Sequence, residues 1–131
     1  MYQKFKTNIL VRDKMIERMK NDGIIVDYKQ LSGQEYINAL RNKVIEEAEE
    51  VAYEYDREKL VYELADLIEV LETLADYTGI TKSEVLDAKN KKRELSGGFS
   101  SGNFTNFVEI DTENPVIEYY QQRQNKYPRM S

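Results

Sequence analysis

The sequence predicts an all-α protein, an antiparallel bundle of about four to five helices. Three observations predict it. Two long segments repeat apolar residues at steps of three and four. Two Ser/Thr-x-x-Glu signals stand ahead of helical stretches. The connections between these stretches are short, which favours antiparallel neighbours. At 131 residues the chain is one domain's worth, with 40% apolar and 33% charged residues, an ordinary globular balance.

In chain order, Ile9, Leu10, Val11, Met15, Ile16 and Met19 have helix-like spacing, and Asn21-Asp22-Gly23 reads as a helix stop. Residues 24–30 are short and β-branched, consistent with a brief extended segment. Ser32-Gly33-Gln34-Glu35 fits a capping box opening a second helix that runs to about Tyr55. Its apolar stripe is Ile37, Leu40, Val44, Ala48, Val51 and Tyr55. A third helix runs from about Leu60 to Tyr77, with Leu60, Leu64, Leu67, Ile68, Leu71 and Leu74 apolar and Gly79 as its stop. Thr81-Lys82-Ser83-Glu84 is a second capping box, and the fourth helix extends to about Leu95. The helical domain is expected over residues 1–103. The tail, 104–131, suggests one or two short strands or a docking arm, with a turn at Asn114-Pro115.

Composition excludes several chemistries. With no histidine and no cysteine, there is no His-based triad, thiol nucleophile, zinc finger or disulfide framework. Any metal must be held by oxygen, which points to Mg²⁺, Mn²⁺ or Ca²⁺. A net charge of −5 argues against a nucleic-acid partner bound through bulk positive charge. No apolar run is long enough for a membrane helix. The first residues lack the apolar core of a signal peptide, so the cytoplasm is the expected location.

The acids are concentrated. Residues 46–76 hold twelve of the 24 acids and only two bases, Arg57 and Lys59. At about 100° per residue, Glu47, Glu50 and Glu54 border the apolar face of the second helix. Glu46 reaches the same flank, while Glu49 points away. On the third helix Glu63 falls inside an apolar arc with Leu67, Val70 and Leu74, and Asp66 lies beside it. Glu69, Glu72 and Asp76 share the opposite, polar side. A Glu-rich helix is often a wet surface, but a carboxylate among leucines is costly unless compensated. A divalent cation would relieve both the burial and the mutual repulsion. The i, i+3 pairs Glu47/Glu50 and Glu63/Asp66 each offer two carboxylates from one helix face.

Glu46-Glu47-Ala48-Glu49-Glu50, then twelve residues, then Glu63-Leu64-Ala65-Asp66 resembles the E-E-x-x-E…E-x-x-D signature of all-α nucleoside triphosphate pyrophosphohydrolases. That superfamily includes MazG-like proteins and phosphoribosyl-ATP pyrophosphohydrolase. Leu10-Val11-Arg12-Asp13-Lys14 resembles the opening of a MazG-like subfamily, and Gly97-Gly98-Phe99 its ending. Together these motifs cover about residues 8–100. The resemblance implies a MazG-like helical fold and hydrolysis of a nucleoside triphosphate, or related nucleotide, to the monophosphate and pyrophosphate. It implies Mg²⁺, or Mn²⁺, held by Glu47, Glu50, Glu63 and Asp66, and a homodimer or homotetramer. The chain departs from its relatives at Ser96, where many have Arg, and at Met15-Ile16, where Ile-Pro is common. The tail beyond about Thr105 has no counterpart.

Without histidine the proton acceptor is a carboxylate or the ion-activated water, and Glu46 and Glu50 are the carboxylate candidates. Five carboxylates exceed what one Mg²⁺ needs, so two ions are feasible. Lys89, Lys92 and Arg93 share one side of the fourth helix and are candidates for phosphate binding. They equally complement the dipole at its C-terminal end. Arg12 and Lys14 are further phosphate candidates; Asp13 either fixes Arg12 or caps the first helix. The expected role is house-cleaning hydrolysis of unwanted nucleotides. The alternatives are phosphoribosyl-ATP hydrolysis in histidine biosynthesis and, from another class, a non-catalytic helical nucleotide- or protein-binding module.

Overall fold

The computed structural model describes residues 1–130. Five helices form in the order α1 (Met15–Asn21), α2 (Gly33–Tyr53), α3 (Arg57–Tyr77), α4 (Lys82–Ser96) and α5 (Ile117–Gln121), with no strand among the described residues. The fold is therefore all-α. Among the described residues, no helix is long and apolar enough to cross a membrane. The chain divides into two units, Met1–Glu94 and Leu95–Ser131.

In the first unit, α1 is shorter than the spacing of apolar residues suggests. Residues 9–14 stay outside it, because they serve other contacts. Ile9 and Leu10 line a small cleft of about 90 Å³ with Ala39, Asn42 and Lys43 of α2, and Arg12 pairs with α3. The stop is as expected: Gly23 takes φ +82, Gly23 N–H donates to the Lys20 carbonyl and Ile24 N–H to that of Met19. This is a Schellman closure, which needs a left-handed residue at that point. Residues 24–32 carry no regular structure, so the extended stretch expected near 24–30 forms no strand.

Helices α2 and α3 make an antiparallel hairpin, the one pair of helices in packing contact within this unit. At its open end Gly33 N–H, at the start of α2, donates to Tyr77 Oη at the end of α3, 2.7 Å away. The Tyr36 and Tyr77 rings meet edge to face with centroids 4.6 Å apart. At its closed end a short turn joins the helices. Asp56 is the N-cap of α3, its carboxylate accepting from Lys59 N–H at 3.0 Å, so α3 starts at Arg57 rather than near Leu60. Gly79 ends α3 by the same Schellman closure, with Ile80 N–H donating to the Ala75 carbonyl at 2.8 Å.

The two sequence-read capping boxes differ. Thr81 and Glu84 form theirs reciprocally: Thr81 N–H donates to Glu84 Oε2 at 2.7 Å, and Glu84 N–H donates to Thr81 Oγ1 at 3.1 Å. Ser32 stands at the N-cap of α2 but makes no side-chain cap bond, and Glu35 pairs instead with Lys29 at 2.9 Å. The boundary is where the sequence puts it, while tertiary contacts with Tyr77 supply part of the capping.

The interior is thin. Leu40 is the one buried apolar residue among the described residues, and Glu47 is the one buried charge. The seam follows alternating steps of three and four, the spacing of a coiled-coil pair. On α2 it runs Ile37, Leu40, Val44, Glu47, Val51; on α3 it runs Leu60, Glu63, Leu67, Val70, Leu74. All of these are buried or half-buried. Several residues expected in the core are outside it: Leu64, Ile68 and Leu71 are exposed, as are Ala48 and Tyr55. With Val61, the first three form a second apolar stripe on α3, turned away from the seam and facing water.

Among the described residues the second unit has no strands. Asn114 Oδ1 accepts from Val116 N–H at 3.1 Å, making the expected turn at Asn114-Pro115, and a short helix, α5, follows in place of the extended segments. Tyr119, Tyr120 and Tyr127 cluster around it, and the Arg123 guanidinium lies 3.9 Å from the Tyr119 ring centroid.

Candidate metal centre and active site

Two of the ten seam positions carry carboxylates, Glu47 and Glu63, where the heptad spacing calls for apolar residues. Each brings its i+3 neighbour onto the same flank, Glu50 on α2 and Asp66 on α3. The antiparallel pairing then brings the two helices' carboxylates together. One oxygen from each of Glu47, Glu50, Glu63 and Asp66 lies within 4.8 Å of the others.

Four carboxylates this close repel one another, and burial adds to the cost of holding them charged. Burial, followed by the adjacent Glu50 carboxyl, pushes the Glu47 carboxyl above its ordinary range. Glu50 is raised first by its hydrogen bond with Glu63 and then by desolvation. Glu47 Oε2 and Glu63 Oε2 are buried with no hydrogen-bond partner. Buried polar atoms are rarely left so, and such orphans call for an ion or a water as partner. Oxygen-only donors of net negative charge, two of them orphaned, fit a hard divalent cation.

Two cations sit at the edges of the cluster. Lys43 Nζ is 3.4 Å from Glu47 Oε1 and donates to both oxygens of Glu46 at 3.3 Å. Glu46 thus lies beside the four rather than among them. Lys43 was not singled out from the sequence, although its place three and four residues before Glu46 and Glu47 is the signal that identifies it. Arg12 Nη2 donates to Asp66 Oδ1 at 2.6 Å. That bond, more than any other cause, raises the guanidinium above its ordinary pKa.

Neither sequence-read role for Asp13 appears: Arg12 turns to Asp66, and the N-cap position of α1 is Lys14, with no side-chain cap bond. Lys14 is exposed. Lys89, Lys92 and Arg93 are exposed on α4, which packs against neither α2 nor α3, so within this chain they are not brought to the carboxylates. On the polar side of α3, Glu69, Glu72 and Asp76 border an open cleft of about 470 Å³ that includes none of the four. There Lys82 pairs with Glu72 at 3.3 Å. The acids of that cleft lack the buried, unpaired oxygens of the seam.

Against known proteins, residues 11–93 match the family model described as phosphoribosyl-ATP pyrophosphohydrolase. No curated protein and no solved structure matches the chain. The matched stretch begins just before Arg12 and ends at Arg93, so it contains Lys43 and all four clustered carboxylates.

Proposed function

The chain belongs to the phosphoribosyl-ATP pyrophosphohydrolase family, enzymes that hydrolyse a phosphoric anhydride bond, and from that premise we propose that it cleaves a nucleoside triphosphate, or a related nucleotide, to the monophosphate and pyrophosphate in a house-cleaning role. The carrying observation is the group of four carboxylates with two buried, unpaired oxygens. Its presence favours catalysis over a non-catalytic binding module. Glu47, Glu50, Glu63 and Asp66 are the proposed holders of a divalent cation, Mg²⁺ with Mn²⁺ as substitute. When bound, the ion supplies charge neutralisation for the phosphates and orientation of the leaving group.

The residues divide the remaining work. A water oxygen bonds to phosphorus as the anhydride bond between the α and β phosphates breaks, and pyrophosphate leaves. We assign the water's proton to Glu46, outside the four but tethered by Lys43. Glu50 is the other carboxylate candidate, and its place among the four proposed cation holders makes it the less available of the two. Lys43 is the nearest cation to Glu46 and Glu47. We retain Lys89, Lys92, Arg93, Arg12 and Lys14 as phosphate contacts. Since α4 packs on neither hairpin helix within one chain, Lys89, Lys92 and Arg93 would act in an assembled form.

A homodimer or homotetramer is part of the proposal. Val61, Leu64, Ile68 and Leu71 form an uncovered apolar stripe, and a hairpin with one buried leucine has little core of its own. A nucleotide substrate suits a cytoplasmic location. The second reading, hydrolysis of phosphoribosyl-ATP in histidine biosynthesis, is favoured by the description of the matching family model.

The test is a panel of nucleoside triphosphates, dUTP and phosphoribosyl-ATP, each incubated with the purified protein with and without Mg²⁺, with pyrophosphate measured. Mg²⁺-dependent release from triphosphates supports the first reading. Release confined to phosphoribosyl-ATP supports the second. Release from none contradicts both.

A further inference from the structure

Asp66 is the carboxylate of the cluster tethered by a residue from a distant part of the same chain. Its partner, Arg12, lies 54 residues away in sequence, in the irregular segment before α1. The side chains are 60% and 37% exposed. Glu47 is held differently: it is buried in the seam, only 6% exposed, with Lys43 of its own helix on one oxygen. Packing fixes Glu47, whereas little packing surrounds Asp66.

A carboxylate has two oxygens. At Glu47 the division is explicit, with Oε1 facing Lys43 and Oε2 unpaired. At Asp66, Oδ1 is taken by the guanidinium. Arginine is always charged and its donors form a rigid planar fork, so its bond fixes where that carboxylate oxygen sits. Partners of this kind, behind a metal-ligating carboxylate, orient the ligand and tune the ion's affinity.

We infer that Arg12 is a positioning residue for Asp66: it holds one carboxylate oxygen so that the other faces the four-carboxylate cluster, making divalent-cation affinity depend on the segment before α1. This rests on the reading of the cluster as a cation site. It differs from a substrate-phosphate role for Arg12, because it acts before any nucleotide binds.

The experiment is a Mn²⁺ titration of the full chain without nucleotide, with free Mn²⁺ read by electron paramagnetic resonance. Wild type, Arg12→Gln, Asp66→Asn and the double variant are compared, and circular dichroism confirms that each is helical. Arg12→Gln should weaken Mn²⁺ binding roughly tenfold or more, the size typical of losing a partner behind a ligand. Arg12→Lys should restore part of it. In the Asp66→Asn background, Arg12→Gln should change nothing further. Unchanged or tighter binding by Arg12→Gln would overturn the inference, leaving a phosphate role or competition with the ion. An equal loss in the Asp66→Asn background would also overturn it, since Arg12 would then not act through Asp66. If wild type binds no Mn²⁺, the cation-site reading fails, and the inference with it.

Discussion

Helix α3 has two stripes whose surroundings are the reverse of their chemistry. One carries Glu63, with Asp66 on its flank, and lies against α2 with an orphaned Glu63 oxygen buried. The other carries Val61, Leu64, Ile68 and Leu71 and faces water, these side chains being 43–54% exposed. A chain selected for its own stability alone would do the opposite, burying leucines and solvating acids. The difference teaches that the hairpin is not a finished unit. Its seam is built around a charged site, and its apolar stripe is left facing water.

The largest effects should come from breaking the apolar stripe. Covering a side chain such as Leu64 or Ile68 is worth about 1.5–3 kcal/mol, and a charge there would also oppose any apolar partner surface. Leu64→Glu with Ile68→Glu should therefore convert a sedimenting dimer or tetramer to smaller species and lower the melting temperature. A wild-type chain that sediments as a monomer and unfolds cooperatively would contradict the covered-stripe account.

A smaller effect is expected at the seam, where pH supplies the lever. Glu47 and Glu50 are both raised above their ordinary value of 4.5. In the folded state their protonated forms are favoured. That contribution to stability is fully present below pH 4.5 and is lost as pH rises through the raised values. The metal-free protein should therefore lose melting temperature with rising pH, and Mg²⁺ should restore it. Glu47→Leu completes the apolar spacing and removes the titrating group. It should flatten this loss and raise the melting temperature of the metal-free protein at pH 8, since Lys43 keeps Glu46 as its partner. Equal pH profiles for wild type and Glu47→Leu would mean that Glu47 carries no such strain.

The sequence made the helices legible because caps and stops are local. Gly23, Gly79 and the Thr81/Glu84 box each act within one turn. Ser32 shows the limit: its motif is complete, yet the first N–H of α2 goes to Tyr77 across the hairpin. The core was only partly legible. Leu60, Leu67 and Leu74 line the seam, while Leu71, Leu64 and Ile68 lie roughly 40–100° further round the helix. A single helix pattern merges the two stripes into one broad arc. Which stripe α2 takes is decided by alternating steps of three and four on both helices, with Glu47 and Glu63 counted as seam positions. The convergence of four carboxylates could be read from two i, i+3 pairs on facing helices. The Arg12–Asp66 bond could not, because nothing local links residues 54 apart.

The central claim is that the inward carboxylates do chemistry and the outward ones do not. Its most direct test is Mg²⁺-dependent pyrophosphate release by Glu63→Gln and Glu72→Gln beside wild type, on whichever nucleotide the panel identifies. Both substitutions remove one charge from α3, Glu63 with a buried orphan oxygen and Glu72 on the polar side beside Lys82. Glu63→Gln should abolish release, and Glu72→Gln should retain it. Equal effects of the two substitutions would contradict the claim.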